Sequence, residues 1–213
     1  MESHTKGHSE KVFQDKVVQE LKKYKWEAPE FLDGNTHRVT VEDLIVHWRQ
    51  ELNRLNAEQL ENVPLTDNEF AQVMQQVDQI ANSYDAAKIL AMEDSKGKID
   101  GIYRDSRPGI TRRQITLTIF KKAEVGGGDS SYKIAREVVS PGNGSKGENR
   151  FDLILLINGL PLINIEQKRG DKSLDFAFGQ FRRYYEDGEY RHNFLAFSQM
   201  MVCMSDIETR YFA

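Results

Sequence analysis

The sequence predicts an α/β fold: a mixed β-sheet flanked by helices, with a mainly helical N-terminal portion over residues 1–95 and a sheet-containing core over 96–213. Three observations carry this expectation. Through the N-terminal portion, apolar residues recur at three- and four-residue spacing behind residues suited to helix caps. Beyond residue 110 they gather into short runs bounded by turn and loop residues. Two of those runs, 151–157 and 160–168, are separated only by Asn158-Gly159, a pair suited to a hairpin turn because both residues tolerate positive φ.

A first helix is expected over 9–24, where Phe13, Val17, Leu21 and Tyr24 share a stripe. Ser9 is placed to cap it, and lysines close its last turn against the helix dipole. After a loop with Pro29, Asp33 and Gly34, Thr40 opens a second helix, VEDLIVHWRQELNRLN, and TDNEFAQVMQQVDQIAN reads as a third. ITLTIF, after Arg112 and Arg113, alternates as a strand does. Glycines 126–128 with Asp129, Ser130 and Ser131 form a loop; no Gly-Lys-Ser/Thr follows, so a phosphate cradle is not supported there. SPGNGSKGE, 140–148, is a second loop. FDLILLI and LPLINIEQK are the two strands of the hairpin. A helix over 174–186 follows, with the stripe Leu174, Phe178, Phe181 and Tyr185, and then a buried strand over Ala196–Met204.

Composition narrows the function classes. With 39% hydrophobic and 29% charged residues the 213-residue chain is an ordinary globular one. No stretch approaches the ~18 apolar residues of a membrane span, and the N-terminus lacks the apolar centre of a signal peptide, so a cytoplasmic protein with no membrane partner is expected. The single cysteine, Cys203, excludes an intrachain disulfide and a cysteine-based zinc cluster, and in the run MMVCM it reads as a small buried hydrophobe. A net charge of −4 and the lack of a long basic run predict weak DNA affinity for this chain alone.

Asp152 at the start of one buried strand, and Glu166 and Lys168 at the end of its neighbour, are the charged residues whose positions demand a reason. Glu166 and Lys168 are i and i+2, so they share a face while Gln167 turns away. Two carboxylates held close repel each other unless a cation joins them. A hard divalent ion, Mg²⁺ or alternatively Mn²⁺, suits Asp152, Glu166 and the backbone carbonyl of Gln167, with Lys168 beside it to orient a water and offset charge on a phosphorane. The bland alternative is a Glu166–Lys168 surface pair with Asp152 in a turn.

Geometry sets a condition. A strict two-residue hairpin at Asn158-Gly159 pairs Asp152 with Ile165 and throws the two carboxylates onto opposite faces. A shared site therefore needs a three-residue loop or a bulge, and Pro161, which cannot donate a ladder bond, marks where an irregularity fits. On the following helix, Gln180 and Tyr184 are i and i+4 and are expected on one flank beside the apolar stripe, within reach of DNA or of a catalytic side chain. Arg182 and Arg183 point elsewhere, each a candidate phosphate contact.

The segment RFDLILLINGLPLINIEQKRG, followed by AFGQFRRYY and SDIETRYFA, resembles the N-terminal PD-(D/E)xK endonuclease domain of type I restriction enzyme R subunits. Asp152, Asn158 to Leu162, Glu166 with Lys168, and Gln180 with Tyr184 stand in that family's order and spacing, over about residues 150–213. The resemblance implies a restriction-endonuclease-like fold, Mg²⁺-dependent cleavage of double-stranded DNA, and M (methyltransferase) and S (specificity) partner subunits. It also implies ATP-driven motor domains beyond this chain, so ATP belongs only to a full-length enzyme. Relatives of the wider superfamily carry a metal-assisting acid on the first helix; Asp15 and Glu20 are candidates here and Gln14 fits equally well. Two rival readings remain: a non-catalytic DNA-docking or subunit-interaction module on the same fold, and a free-standing repair nuclease of that superfamily.

Overall fold

The computed structural model describes residues 2–91, 97–120, 129–141 and 147–213, with side chains placed from Glu10 onward. Helix α1, Glu2–Lys22, starts well before Ser9, which lies inside it. Residues 2–8 contain no proline to stop propagation, and each added turn costs little once a helix is nucleated. Helix α2, Val41–Leu55, opens as expected on Thr40, and α3, Asp67–Val77, is capped by Thr66. Each threonine closes a capping box with the acid three residues on, Asp43 or Glu69. Helix α4, Ser83–Ala91, follows.

The main sheet has six strands: β1 (Val39–Thr40), β4 (Tyr132–Ser140), β5 (Asn149–Ile157), β6 (Leu160–Gln167), β7 (Met200–Met204) and β8 (Thr209–Phe212), in that spatial order. It is mixed, since β1–β4 and β6–β7 pair in parallel and the other neighbours antiparallel. The parallel β6–β7 pair is joined through helix α5, Asp175–Glu186, as a parallel crossover requires. The ITLTIF strand forms, as β3 (Gln114–Thr118), but it pairs with β2 (Lys98–Tyr103) in a separate two-stranded sheet. Glycines 126–128 and most of the loop at 140–148 lie outside the described residues.

Several elements escape the periodicity argument, α4, β1 and β2 among them. Strand β4 carries Arg136 and Glu137 at its centre, and these polar residues hide its apolar pattern. The run expected as a strand from Ala196 instead holds a 3-10 turn, Phe194–Phe197, and the strand begins at Met200. A continuous apolar run does not by itself distinguish a strand from another buried segment, and the Asn193 side chain, accepting from Leu195 N–H, caps the turn. The chain then adds β8 rather than ending after β7.

Both faces of the sheet are covered. Val17, Val18 and Leu21 of α1 pack with Ile134, Leu153, Leu155, Ile165 and Val202 on one face. On the other, the larger core gathers Trp48, Val73, Ile154, Leu156, Phe181 and Phe197 from the remaining helices and the sheet. The fold is a restriction-endonuclease-like mixed sheet between helices.

Candidate active site at the ends of the central hairpin

The hairpin solves its own register problem. Asn158 (φ 53°) and Gly159 (φ 80°) make the two-residue turn, and Ile157 pairs with Leu160 and Leu156 with Pro161. Leu155 then pairs with Ile163, so Leu162 is the extra residue of a bulge immediately after Pro161. Beyond the bulge Leu153 pairs with Ile165, which puts Asp152 opposite Glu166 instead of opposite Ile165. The irregularity that a shared site demands is present.

The two carboxylates converge in a buried place. Asp152 Oδ2 accepts from the Gln167 N–H at 2.7 Å. Glu166 is 1% exposed; its Oε1 lies 3.1 Å from the Tyr184 hydroxyl, and its Oε2 is buried without a hydrogen bond. The Lys168 ammonium stands 3.8 Å from Glu166 Oε2 and donates to the Gln167 carbonyl at 2.9 Å. Burial pushes the Asp152 carboxyl up to about 6 and holds Glu166 well above the usual carboxylate range, with Asp152's charge adding to the rise on Glu166. Lys168 opposes both shifts. Two acids are thus kept at a real cost in a spot that a cation would relieve.

Helix α5 reaches this pair differently from the expectation. Its buried face is Leu174, Ala177, Phe181 and Tyr184, whereas Phe178 and Tyr185 are half exposed. Tyr184 is therefore in the core, not on a flank beside it. The reason is packing and a hydroxyl with work to do: the ring lies 4.6 Å from Phe151, and the hydroxyl donates to the Arg150 carbonyl at 2.5 Å. Gln180 donates to the same hydroxyl at 3.3 Å and lines the cleft above. Arg183 also lines that cleft, whereas Arg182 pairs with Glu186 and borders an apolar groove on the other side of the helix.

The cleft, about 730 Å³, is bounded by α1, α5 and the strand ends that carry Asp152, Gln167 and Lys168. Of the three first-helix candidates, Gln14 reaches it. Its amide donates to Glu137 Oε1 at 2.8 Å and to the Asp152 carbonyl at 3.2 Å. Its oxygen accepts from Arg136 at 2.9 and 3.0 Å. Asp15 instead pairs with Arg136, and exposed Glu20 pairs with Lys23; neither lines the cleft.

Sequence reasoning missed Arg136 and Glu137. Glu137 sits opposite Asp152 by continuity between the pairs Arg136–Leu153 and Val138–Phe151. It holds φ 49° in mid-strand, a costly conformation for a residue with a side chain. Its one legible signal is an Arg-Glu pair interrupting an apolar run; in the fold that pair lies against Gly34, where a Cβ would meet the Arg136 and Glu137 carbonyls at 2.5 and 2.6 Å.

Among the described residues no group of three or more His, Cys, Asp or Glu side chains gathers as a metal cage. Two carboxylates and a backbone carbonyl are nonetheless a fitting donor set for a hard ion that keeps several waters, and the orphaned Glu166 Oε2 is the atom such an ion would satisfy.

Fold and site define a class: a restriction-endonuclease-like domain with paired acids and a lysine at the ends of adjacent strands. Residues 8–213 match the family described as type I restriction enzyme R protein N terminus, and the chain belongs to that family. It is 29% identical over 188 residues to the type I restriction enzyme SauCOLORF180P endonuclease subunit of Staphylococcus aureus strain COL, covering 83% of this chain and 17% of that protein. It is 27% identical over 179 residues to the SsaAORF53P endonuclease subunit of Staphylococcus saprophyticus, covering 80% and 16%. With the EcoprrI endonuclease subunit of Escherichia coli it shares 30% identity over 118 residues, 55% of this chain and 31% of that protein. The chain thus spans about a sixth of the length of the staphylococcal relatives. No helix among the described residues is long and apolar enough to cross a membrane.

Proposed function

We propose that this chain is the metal-dependent endonuclease domain of a type I restriction R subunit, hydrolysing phosphodiester bonds of double-stranded DNA in the cytoplasm. The single observation that carries the reading is the bulged register that sets Asp152 against Glu166 with Lys168 beside them. Asp152, Glu166 and the Gln167 carbonyl would hold Mg²⁺ or Mn²⁺. When bound, the ion supplies polarisation of the phosphodiester and lowers the pKa of water.

The chain's own residues do the rest. Tyr184 positions Glu166 from below through its hydroxyl, and Gln180 orients that hydroxyl. Lys168, whose ammonium donates to the Gln167 carbonyl and stands beside Glu166, would orient a nucleophilic water and offset charge on the scissile phosphate. Gln14 ties α1 to the backbone of Asp152. Recognition of the DNA sequence, methylation and ATP-driven translocation fall to S and M subunits and to motor domains in a full-length R subunit.

In the complete enzyme, Glu166→Ala or Lys168→Ala should abolish Mg²⁺-dependent cleavage while leaving the ATPase intact. Retained cleavage would refute the assignment and favour a docking module. Cleavage by the 213-residue chain without M, S or ATP would favour a free-standing nuclease.

A further inference from the structure

Two arginines at the mouth of the cleft are each held by a carboxylate of the same cleft. Arg38, in the segment before β1, meets Glu148 through both terminal nitrogens, one of them at 3.3 Å from Oε2. Arg150, two residues before Asp152 on β5, meets Glu137 Oε2 at 3.0 Å. Both guanidiniums remain largely exposed, 59% and 67%. The Arg38–Glu148 pair is exposed on both sides, and such pairs are worth little and exchange readily; in the other pair Arg150 is exposed while Glu137 is half-buried.

Glu137 is not an incidental partner. Its left-handed backbone is imposed by Gly34, whose N–H bonds the Arg136 carbonyl at 2.9 Å, and by the buried Arg136 clamp on Gln14, Asp15 and Asp33. Strain of this kind persists only where the surroundings enforce it, and it collects at functional sites. Here it sets the carboxylate between the Gln14 amide and the Arg150 guanidinium. A carboxylate presents to arginine the same forked acceptor that a phosphate does.

We propose that Arg38 and Arg150 are backbone-phosphate contacts for duplex DNA, and that Glu148 and Glu137 occupy them in the free protein and are displaced by the phosphodiester. The inference rests on the nuclease reading and adds residues that hold substrate rather than react with it. It also bears on a cleft that belongs to a chain of net charge −4: two of its cations, Arg38 and Arg150, are positioned but neutralised until a polyanion exchanges with the acids.

The test is anisotropy of a short labelled duplex titrated with the 213-residue chain in EDTA over a range of salt, so that cleavage chemistry plays no part. R38A and R150A should each weaken binding about three- to tenfold and each lower the salt slope by about one, and R150K should restore the slope. E137Q and E148Q should tighten binding by about 1.5- to 5-fold. The deciding measurement is the double-mutant cycle: E137Q should no longer tighten binding in R150A, nor E148Q in R38A. Tightening that survives loss of the arginine would reduce the effect to general repulsion and overturn the proposal. So would an unchanged slope in R38A and R150A, or no saturable binding at low salt. Melting curves establish that each variant is folded. Failure of Glu166→Ala to abolish cleavage would sink the nuclease reading separately, because it leaves these binding results untouched.

Discussion

Replacing Asp152 by asparagine should stabilise the metal-free protein at alkaline pH. The carboxyl is raised from 3.8 to about 6 in the fold, chiefly by burial. A raised acid means that the folded state binds the proton more tightly than the unfolded chain does. Its contribution is fully present below about pH 3.8 and is lost as pH rises through about 6. The full difference corresponds to about 3 kcal/mol, or about 6–12 °C in Tm for a domain of this size. Asparagine keeps an oxygen for the Gln167 N–H and carries no charge to desolvate. In EDTA at pH 8, Asp152→Asn should therefore melt above the native protein by up to that amount, with the gap narrowing at pH 5 and closing near pH 4. Adding Mg²⁺ should raise the Tm of the native protein and not of the variant. A variant that melts lower at pH 8, or a gap that does not move with pH, would refute the picture of an unrelieved buried carboxylate.

Three further outcomes follow from the same contacts. Tyr184→Phe keeps the ring against Phe151 but strips the hydroxyl from Glu166 and from the Arg150 carbonyl, so calorimetry should show a loss of about 1–3 kcal/mol. Lys168→Met removes the cation that lowers both acids; the pH midpoint for Mn²⁺ binding by titration calorimetry should move upward, because protons then compete better for the pair. Gly34→Ala forces a methyl to within 2.5 Å of the Arg136 carbonyl and should destabilise the protein by about 1–3 kcal/mol, whereas Gly179→Ala, where nothing lies within 4 Å, should not. Denaturant melts would check both glycines.

Much of the site was legible one strand at a time. Asp152, Glu166 and Lys168 announced themselves as charges at the ends of apolar runs, and the two-residue period required a three-residue loop or a bulge near Pro161 for them to meet; the bulge is what the fold contains. The cap at Thr40 was equally local, since it is decided by residues three apart. The face of α5 was less secure. Phe178 and Tyr185 fit a helical stripe as well as Ala177 and Tyr184 do, and hydrophobicity alone favours the former pair. Only the sheet's Phe151 ring and the Glu166 carboxylate choose the latter.

Local periodicity and turn chemistry, then, set the hairpin, the capped helices and the identity of the acids, because those depend on neighbours within a few residues along the chain. Tertiary structure decided that Gln14, rather than Asp15 or Glu20, reaches the cleft, and that Arg136 and Glu137 belong beside Asp152. The first outcome rests on contacts between residues more than a hundred positions apart, and the second on the antiparallel pairing of β4 with β5 across an intervening loop. A buried charge on one element finds its partner on another only when the sheet has brought them together, and no spacing along the chain records it.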